Sequence, residues 1–361
     1  MKLLEVTDLQ VHFQTDRGVN RAVDGLSFAI DRGEALAIVG ESGCGKSVTS
    51  MSILRLLPTP PGKIAGDIMF RGKDLSRNSE REMRRLRGGE ISMIFQEPML
   101  DLTSGALMLD GERIDGLAES SLKPFRKRLN IVFQDPFSSL NPRMTVEALV
   151  SEPLRSHGLV SSRAERHERV AELLETVGLS PDIMDRMPHQ FSGGQRQRLC
   201  IARALASEPE FIICDEAVSA LDVSVQAQII NLLMRLQRDL GHAILFISHD
   251  LAVVEHLSDR VAVMYLGRIM EIADRDTLFA APCHPYTQAL LSAVPLPDPM
   301  AHRDRVILKG EVPSPINPPS GCPFRTRCPI ATELCARERP ELVEFAPGQS
   351  VACHYPNTAR D

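Results

Sequence analysis

The sequence lacks long hydrophobic runs. Within its 361 residues, no stretch reaches the roughly 18 consecutive apolar residues typical of a membrane-spanning helix. The first residues also lack the basic segment followed by an apolar core that marks a secretory signal. We therefore expect the chain to stay in the cytosol, so that any role at a membrane requires partner subunits.

An excess of positive charge is also absent. The chain has 41 Lys and Arg residues against 47 Asp and Glu residues, which gives a net charge of −6. Because a nucleic-acid-binding surface usually shows as a basic excess, the charge argues against a nucleic-acid partner. With 43% hydrophobic residues the chain can bury a substantial core, and its length predicts about two domains.

The cysteines lack the tight C-x2-C pairs that are common in structural zinc sites. Cys44, Cys200, Cys214 and Cys283 are scattered, and in a reducing compartment we expect free thiols there. A second group of four crowds the C-terminal region: Cys322, Cys328, Cys335 and Cys353. Four thiolates suit zinc or an iron–sulfur cluster, while free thiols are the remaining alternative.

A phosphate-binding loop is the first positive feature. Residues 40–47 read GESGCGKS, between the apolar run Ala35–Val39 and the helical spacing of Ser47–Leu57. In a loop of the form G-x-x-x-x-G-K-[ST], backbone N–H groups cradle phosphates, the lysine reaches the β- and γ-phosphates, and the hydroxyl binds Mg²⁺. The order strand, loop, helix supports a nucleotide site at this position.

Strands alternate with helices along much of the chain. Residues 1–14 and 21–30 have strand patterns, as do the short apolar runs Phe211–Cys214 and Ala243–Ile247. Helical spacing occupies residues 144–178 and, further on, 197–206 and 224–240. This alternation predicts a parallel α/β core with an all-helical subdomain inserted into it.

Motifs in the second half carry a family resemblance. Ser192-Gly193-Gly194-Gln195 is followed by Asp215-Glu216, by Ser219-Ala220-Leu221-Asp222 and, after the next strand, by His249. In this order, and together with the phosphate loop, these motifs resemble the ATP-binding-cassette (ABC) ATPases. The resemblance implies an α/β fold: an ABC-type phosphate-loop ATPase core with an antiparallel β-subdomain and an inserted helical subdomain.

The resemblance also implies roles. Asp215 would hold Mg²⁺ with Ser47, Glu216 would orient or deprotonate the attacking water, and His249 would lie near the γ-phosphate. Ser192-Gly193-Gly194-Gln195 would bind the γ-phosphate of ATP held on a second ATPase subunit, so that hydrolysis requires a partner. Contacts with ATP are implied for Phe13, Gly40, Glu41, Ser42, Gly43, Cys44, Gly45, Lys46, Ser47, Val48, Ser192, Gly193, Gly194, Gln195, Asp215 and Asp222. An alternating strand could equally bury Phe13 in the core.

Three further segments resemble one branch of the family. Residues 138–142 (SSLNP), 284–287 (HPYT) and 313–322 (PSPINPPSGC) are similar to the ATPase subunits of bacterial dipeptide and oligopeptide importers, including nickel and glutathione importers. This implies a peripheral subunit on the cytoplasmic face of the inner membrane that powers import of a peptide or related small solute. Its partners would be two permease subunits, an identical or different second ATPase and, indirectly, an extracytoplasmic binding protein.

A shift in composition sets the main domain boundary, and the resemblance favours one cofactor. We expect an ATPase domain over residues 1–275, with the helical subdomain at about 137–205, and a loop-rich extension over 276–361, where Pro and Cys accumulate. The four-cysteine tail implies a 4Fe–4S cluster, with zinc as the alternative.

One segment occurs twice. Residues 66–98 are echoed by residues 105–136, with the glycines offset by 39 positions and the Gln-x-Pro units by 38. Spacing from Lys46 to Gln96 and from Gln134 to Ser192 is ordinary for the family, whereas spacing from Lys46 to Gln134 is not. The hypothesis is that two parent ATPase domains were joined by loss of the middle of a tandem protein.

Duplication creates competition for one place in the sheet. Strands 91–95 and 130–133 both resemble the core strand before the catalytic, Mg²⁺-binding glutamine, and we expect the second strand and Gln134 to be used, with Gln96 as the alternative. Two other functions stay open: a nucleotide-binding but catalytically impaired hybrid, and a soluble ABC ATPase of translation or DNA repair. The latter proteins usually carry tandem or coiled-coil arrangements and lack this tail.

Overall fold

The computed structural model describes residues 2–57, 62–79, 82–83, 86–87, 89–94, 108–109, 112–113, 140–219, 221–294 and 306–356. The strands are β1 (Lys2–Thr15), β2 (Gly18–Asp31), β3 (Ala35–Val39), β4 (Gly62–Phe70), β5 (Lys73–Asp74), β6 (Ile91–Ile94), β7 (Met108–Leu109), β8 (Glu112–Arg113), β9 (Phe211–Asp215), β10 (Ala243–Ser248), β11 (Arg260–Tyr265), β12 (Arg268–Asp274), β13 (Val343–Ala346) and β14 (Gln349–Val351). The helices are α1 (Lys46–Ile53), α2 (Val146–Ser156), α3 (Arg163–Thr176), α4 (Gly193–Leu205), α5 (Val223–Leu240), α6 (Leu251–Leu257), α7 (Arg275–Ala280), α8 (Pro285–Ser292) and α9 (Glu333–Arg337).

Four strands near the N-terminus build an antiparallel sheet in the order β2-β1-β4-β5. Along β1 the apolar side chains of Leu4, Val6, Leu9 and Val11 are buried, as the alternating pattern predicts. They pack in one core with residues of β3 and α1. This sheet is the antiparallel β-subdomain that the family resemblance implies.

The main sheet has the order β13-β14-β12-β11-β3-β10-β9-β6. Five neighbouring strands, from β11 to β6, pair in parallel. Strands β3, β9 and β10 are buried along their whole length, as expected for parallel strands covered on both faces. Because parallel strands end at the same edge, the residues that follow β3, β9 and β10 meet there.

The helical stretch of residues 144–178 forms two helices rather than one. Gly158 has φ +67°, a left-handed conformation that glycine adopts without steric cost, and it separates α2 from α3. Thr145 and Ser162 cap the two helices, each accepting a hydrogen bond from a backbone N–H of the first turn. Gly178 with φ +73° follows α3, which confirms the predicted helix end. Within the described ranges, no helix is long and apolar enough to cross a membrane.

Strand β6 corrects one expectation. The sheet position beside β9 is filled by Ile91–Ile94, with Ile91 opposite Phe211, and not by the strand expected at residues 130–133. The physical reason lies in the segment before β6, where Arg87 Nε and Nη2 donate to the carbonyl oxygens of Leu54 and Arg55 at 2.6 and 2.7 Å. These bonds tie the first copy to the end of α1.

Part of the C-terminal extension continues the main sheet. Strand β14 pairs antiparallel with β12, with Glu271 opposite Val351, and β13 adds the outermost strand. Cys322, Phe324 and Cys335 belong to the same hydrophobic core as the ATPase helices. The described extension is therefore packed against the ATPase sheet through both backbone and side chains.

Candidate functional site

The phosphate loop joins β3 to α1 in the predicted context. Gly45 has φ +104° at the N-cap of α1, a conformation that strains any residue with a side chain. A Cβ atom at Gly45 would also lie 2.2 Å from the carbonyl oxygen of Ala22. Ser42 and Gly43 are exposed while Cys44 is buried, so the middle of the loop is accessible to a ligand.

Lys46 and Ser47 lie at the start of α1. The Lys46 Nζ atom donates to the carbonyl oxygens of Gly40 at 2.9 Å and of Glu41 at 3.0 Å. The side chain therefore folds over the loop, where it can neutralise phosphate charge. Ser47 Oγ donates to Asp215 Oδ1 at 3.0 Å, and Ser50 Oγ donates to Oδ2 at 3.3 Å, so two of the residues predicted to hold Mg²⁺ are adjacent.

Asp215 is a buried carboxylate at the end of β9, with 5% of its surface exposed. Burial raises the pKa of Asp215 to about 6, and the charge of Glu216 adds to the rise, while hydrogen bonds from Ser47 and Ser50 oppose it. A buried carboxylate is costly when charged unless a cation or hydrogen-bond donors compensate. A divalent cation held by Asp215 and Ser47 would supply that compensation, which fits the predicted Mg²⁺ ligand set.

Glu216 and His249 face each other at the ends of β9 and β10. His249 Nδ1 lies 3.3 Å from Glu216 Oε1. Glu216 has φ +49°, and its N–H donates to the carbonyl oxygen of Ile247 at 2.9 Å. Left-handed conformations of residues other than glycine cost energy and cluster at active sites. The described geometry therefore brings the predicted base and the predicted γ-phosphate sensor together.

Ser192 caps helix α4 at the start of the Ser-Gly-Gly-Gln motif of residues 192–195. Ser192 Oγ accepts from Gln195 N at 3.4 Å, and Ser192 N donates to Gln195 Oε1 at 3.1 Å, forming a capping box. A Cβ atom at Gly194 would lie 2.2 Å from Val225 Cγ1, so this glycine allows α4 to pack against α5. Among the described contacts, no hydrogen bond or ion pair joins residues 192–195 to residues 40–47. Ser192 is exposed, so the N-terminus of α4 is accessible to an anion held by another molecule.

The remaining predicted nucleotide contacts are Phe13, Val48 and Asp222. Phe13 and Val48 are partly buried against the core of the β-subdomain, so contact with ATP stays a prediction for both residues. Asp222 caps α5, its Oδ1 accepting from Val225 N at 3.0 Å. Gln96 and Gln134 both lie outside the described residues, and their roles also stay predictions.

The four C-terminal cysteines share one corner of the extension. Cys322 N donates to the carbonyl oxygen of Cys335 at 2.8 Å, and Tyr355 N donates to Cys353 Sγ at 3.4 Å. Burial raises the pKa of Cys353 to about 11, and the other three cysteines add to the rise, which reflects their proximity. None of the eight cysteines forms a disulfide, and across the ranges that the structure describes no three His, Cys, Asp or Glu side chains converge closely enough to hold a metal ion.

Two residues that contact the phosphate loop were not predicted. Tyr286 Oη accepts from Glu41 N at 3.1 Å, and the Arg327 guanidinium pairs with the Glu41 carboxylate. Tyr286 belongs to the HPYT motif, which marked only the family. Arg327 is one arginine in an extension without regular periodicity and lies 286 residues from Glu41, so no local pattern connects them.

Comparison with known families agrees with these motifs. Residues 23–104 and 98–219 match the family described as ABC transporter, and residues 270–335 match the oligopeptide/dipeptide transporter C-terminal region. The oligopeptide transport ATP-binding protein AppF of Bacillus subtilis is 47% identical over 98% of this chain and 97% of its own length. A Brucella ovis protein named for peptide import and ATP binding is 50% identical over 97% of both chains.

Solved structures show the same fold. The chain is similar to a dimeric post-hydrolysis state of the ATP-binding cassette MJ0796 bound to ADP and Pi, with a TM-score of 0.58 and 24% identity over 75% of this chain and 98% of that one. CbiO1 of Clostridium perfringens, part of the ABC transporter complex cbiONQ, has a TM-score of 0.58 and 26% identity over 77% and 91% of the two chains. The family resemblance and the ABC cassette fold are thereby confirmed. The chain belongs to the oligopeptide/dipeptide branch of the ABC transporter ATP-binding proteins and is an ABC-type ATPase.

Proposed function

We propose that this ATPase powers the import of peptides, or of a related small solute, through a membrane permease. The observation that carries the proposal is the shared edge of β3, β9 and β10, where Lys46, Ser47, Asp215, Glu216 and His249 meet within hydrogen-bond reach of one another or of the phosphate loop. The names of the relatives, which refer to peptide import and oligopeptide transport, support the choice of solute.

The chemistry of this site is attack of water on the γ-phosphorus of ATP. Mg²⁺, when bound by Ser47 and Asp215, would neutralise charge on the phosphate oxygens. Glu216 accepts a proton from the water as its oxygen bonds to phosphorus and the bond to the β-phosphate oxygen breaks, which leaves ADP and phosphate. Lys46 stabilises the negative charge on the phosphates, and His249 orients the γ-phosphate beside Glu216.

A second ATPase subunit, identical or different, would complete the site. Ser192, Gly193 and the N-terminus of α4 form an anion site that, among the described contacts, shares no hydrogen bond or ion pair with the phosphate loop, which supports its use by ATP on a partner. Asp222 would lie at the contact between the two ATPases. Two permease subunits would hold the pair at the cytoplasmic face of the inner membrane, and a binding protein outside would deliver the solute.

The duplicated segment favours a specific origin. The ABC transporter match falls into two stretches that meet at residues 98–104, between the two copies, which supports descent from two ATPase domains. Because Gln96 follows β6 by two residues, pairing of β6 with β9 favours Gln96 over Gln134 as the glutamine at the nucleotide. Loss of ATP turnover in Gln134→Ala, with normal turnover in Gln96→Ala, would contradict this choice.

Uptake of peptide into proteoliposomes tests the transport function. The assay uses the chain assembled with its permeases, second ATPase and binding protein, and a mixture of labelled di- and oligopeptides. We expect uptake that requires ATP on the side of this chain. ATP turnover without uptake of any peptide would contradict the peptide assignment and favour a different solute or a non-transport role.

We further propose that Cys322, Cys328, Cys335 and Cys353 hold a 4Fe–4S cluster, with zinc as the alternative. Their shared corner and the N–H donor to Cys353 Sγ support the donor set, although the described thiols do not converge into metal geometry. Protein purified without oxygen should contain iron and absorb broadly in the blue region of the visible spectrum, and Cys335→Ser should lose both properties. Colourless protein with stoichiometric zinc would contradict the cluster.

A further inference from the structure

The C-terminal extension reaches the phosphate loop through an ion pair. Arg327 Nη1 and Nη2 lie 2.6 and 3.1 Å from Glu41 Oε2 and Oε1, a bidentate geometry that is among the stronger charge-assisted contacts. The Arg327 side chain is only 8% exposed and that of Glu41 27%. Partial burial distinguishes this pair from solvent-exposed ion pairs, which contribute little.

A tyrosine fixes the backbone of the same loop residue. Tyr286 is fully buried, and its ring lies 4.8 Å from that of Tyr265 and 5.2 Å from that of Phe324, centroid to centroid. Its hydroxyl accepts from Glu41 N, while the Arg327 guanidinium carbon lies 5.9 Å from the centroid of the Tyr265 ring. One aromatic group therefore supports both contacts with Glu41.

Glu41 is well placed to transmit these contacts to the site. It directly follows Gly40, where the loop begins, and its carbonyl oxygen accepts from Lys46 Nζ at 3.0 Å. A displacement of Glu41 would move both the first N–H groups of the loop and the lysine that meets the phosphates. Loss of such preorganisation weakens binding without removing any direct ligand contact.

We infer that Arg327 is a positioning residue for nucleotide binding, which acts through Glu41 to hold the phosphate loop in its binding conformation. The inference rests on ATP binding at that loop, and it makes the extension part of the nucleotide site. Arg327 directly precedes Cys328 in the sequence. A change in the conformation of the four-cysteine corner would therefore reach the phosphate loop through Arg327.

Equilibrium binding of MgATP to the full chain, followed with a fluorescent ATP analogue and by competition, tests this role. We expect Arg327→Ala to raise Kd about 5- to 50-fold, within the range typical of coupling between sites. ATP turnover at saturating nucleotide should stay within about twofold of wild type, because Arg327 stabilises the loop in ground and transition states alike. Arg327→Lys should lose part of the affinity, since lysine cannot form the bidentate pair.

Glu41→Gln weakens the same ion pair from the side of the phosphate loop. The test therefore does not depend only on the folding of an Arg327 variant. If the ion pair transmits the effect, the double variant binds MgATP as weakly as either single variant, because the coupling is already lost. The matched control is Arg337→Ala, which removes an exposed ion pair with Glu333 in the same extension and should leave Kd unchanged. An unchanged Kd in Arg327→Ala, or additive effects in the double variant, would overturn the inference alone. Failure of the wild-type chain to bind MgATP would contradict the ATPase assignment as well.

Discussion

Replacing Glu271 by alanine is expected to lower the free energy of unfolding by about 3–5 kcal/mol, because three buried donors lose their acceptor at roughly 1–3 kcal/mol each. Glu271 is completely buried in β12. Its Oε1 atom accepts from Cys283 N and Gln349 Nε2, both at 2.8 Å, and its Oε2 atom accepts from His284 N at 2.9 Å. Alanine would leave these three donors without their acceptor in a site closed to water.

The neighbouring histidine does not compensate for the lost carboxylate. Burial lowers the pKa of His284 to about 3, so the ring is neutral, and its Nδ1 atom accepts from Tyr286 N at 3.0 Å. Glu271 therefore connects β12, the turn before α8 and β14 of the extension through hydrogen bonds from neutral donors. Its removal should loosen the extension from the ATPase sheet.

Thermal and urea unfolding followed by circular dichroism measure this effect. Glu271→Gln should be destabilised less than Glu271→Ala, because one carbonyl oxygen remains while the new NH2 group meets a donor. Glu333→Ala is the matched control, since the Glu333 side chain is 85% exposed and its loss should change stability by at most about 0.5 kcal/mol. Equal stability of Glu271→Ala and Glu333→Ala would refute the network.

Glu216→Gln is expected to lower kcat for ATP by about 10²–10⁴-fold, the usual contribution of a positioned general base. The amide keeps the size of the side chain and a contact with His249, but it cannot accept the proton from the attacking water. MgATP affinity should remain close to wild type, because Glu216 acts on the water and not on the phosphates.

Measuring phosphate release and the retention of unhydrolysed ATP distinguishes a loss of catalysis from a loss of MgATP binding. The variant should retain ATP where the wild-type chain yields ADP. Glu255→Gln is the matched control, because Glu255 is an exposed residue of α6 and the same substitution there should leave kcat unchanged. If Glu216→Gln keeps more than about a tenth of wild-type turnover, another group serves as the base, since a tenfold loss falls below this range.

The fold could be predicted from the sequence where local patterns and the order of the elements agree. Ala35–Val39 was predicted as a strand with the same bounds that the structure has, because an apolar run, a glycine-rich loop and a helix follow one another without a gap. Helical spacing at residues 197–206 likewise predicted a helix, and the structure has α4 there, capped by Ser192. In both segments the relevant interactions span only a few residues.

At β6 the duplicated segment made the prediction from local patterns wrong. Two segments with nearly identical strand patterns competed for one place, and their patterns could not decide between them. The first copy is held by contacts with residues outside the duplicated segment, where Arg87 of that copy donates to the end of α1. Contacts between Arg327 and Glu41 were equally inaccessible, because they depend on how the extension folds back over 286 residues of chain.

The central claim is that this chain, despite its duplicated segment, builds one working ATP site from the edge of its parallel sheet. The most direct measurement is steady-state phosphate release by the wild-type chain, assembled with its permeases and second ATPase, beside the same assembly carrying Glu216→Gln. We predict turnover by the wild-type assembly at least tenfold above the variant, since a general base contributes about 10²–10⁴-fold and a second site can supply part of the background. Equal turnover in the two assemblies would contradict the account and identify the chain as a nucleotide-binding hybrid without catalysis.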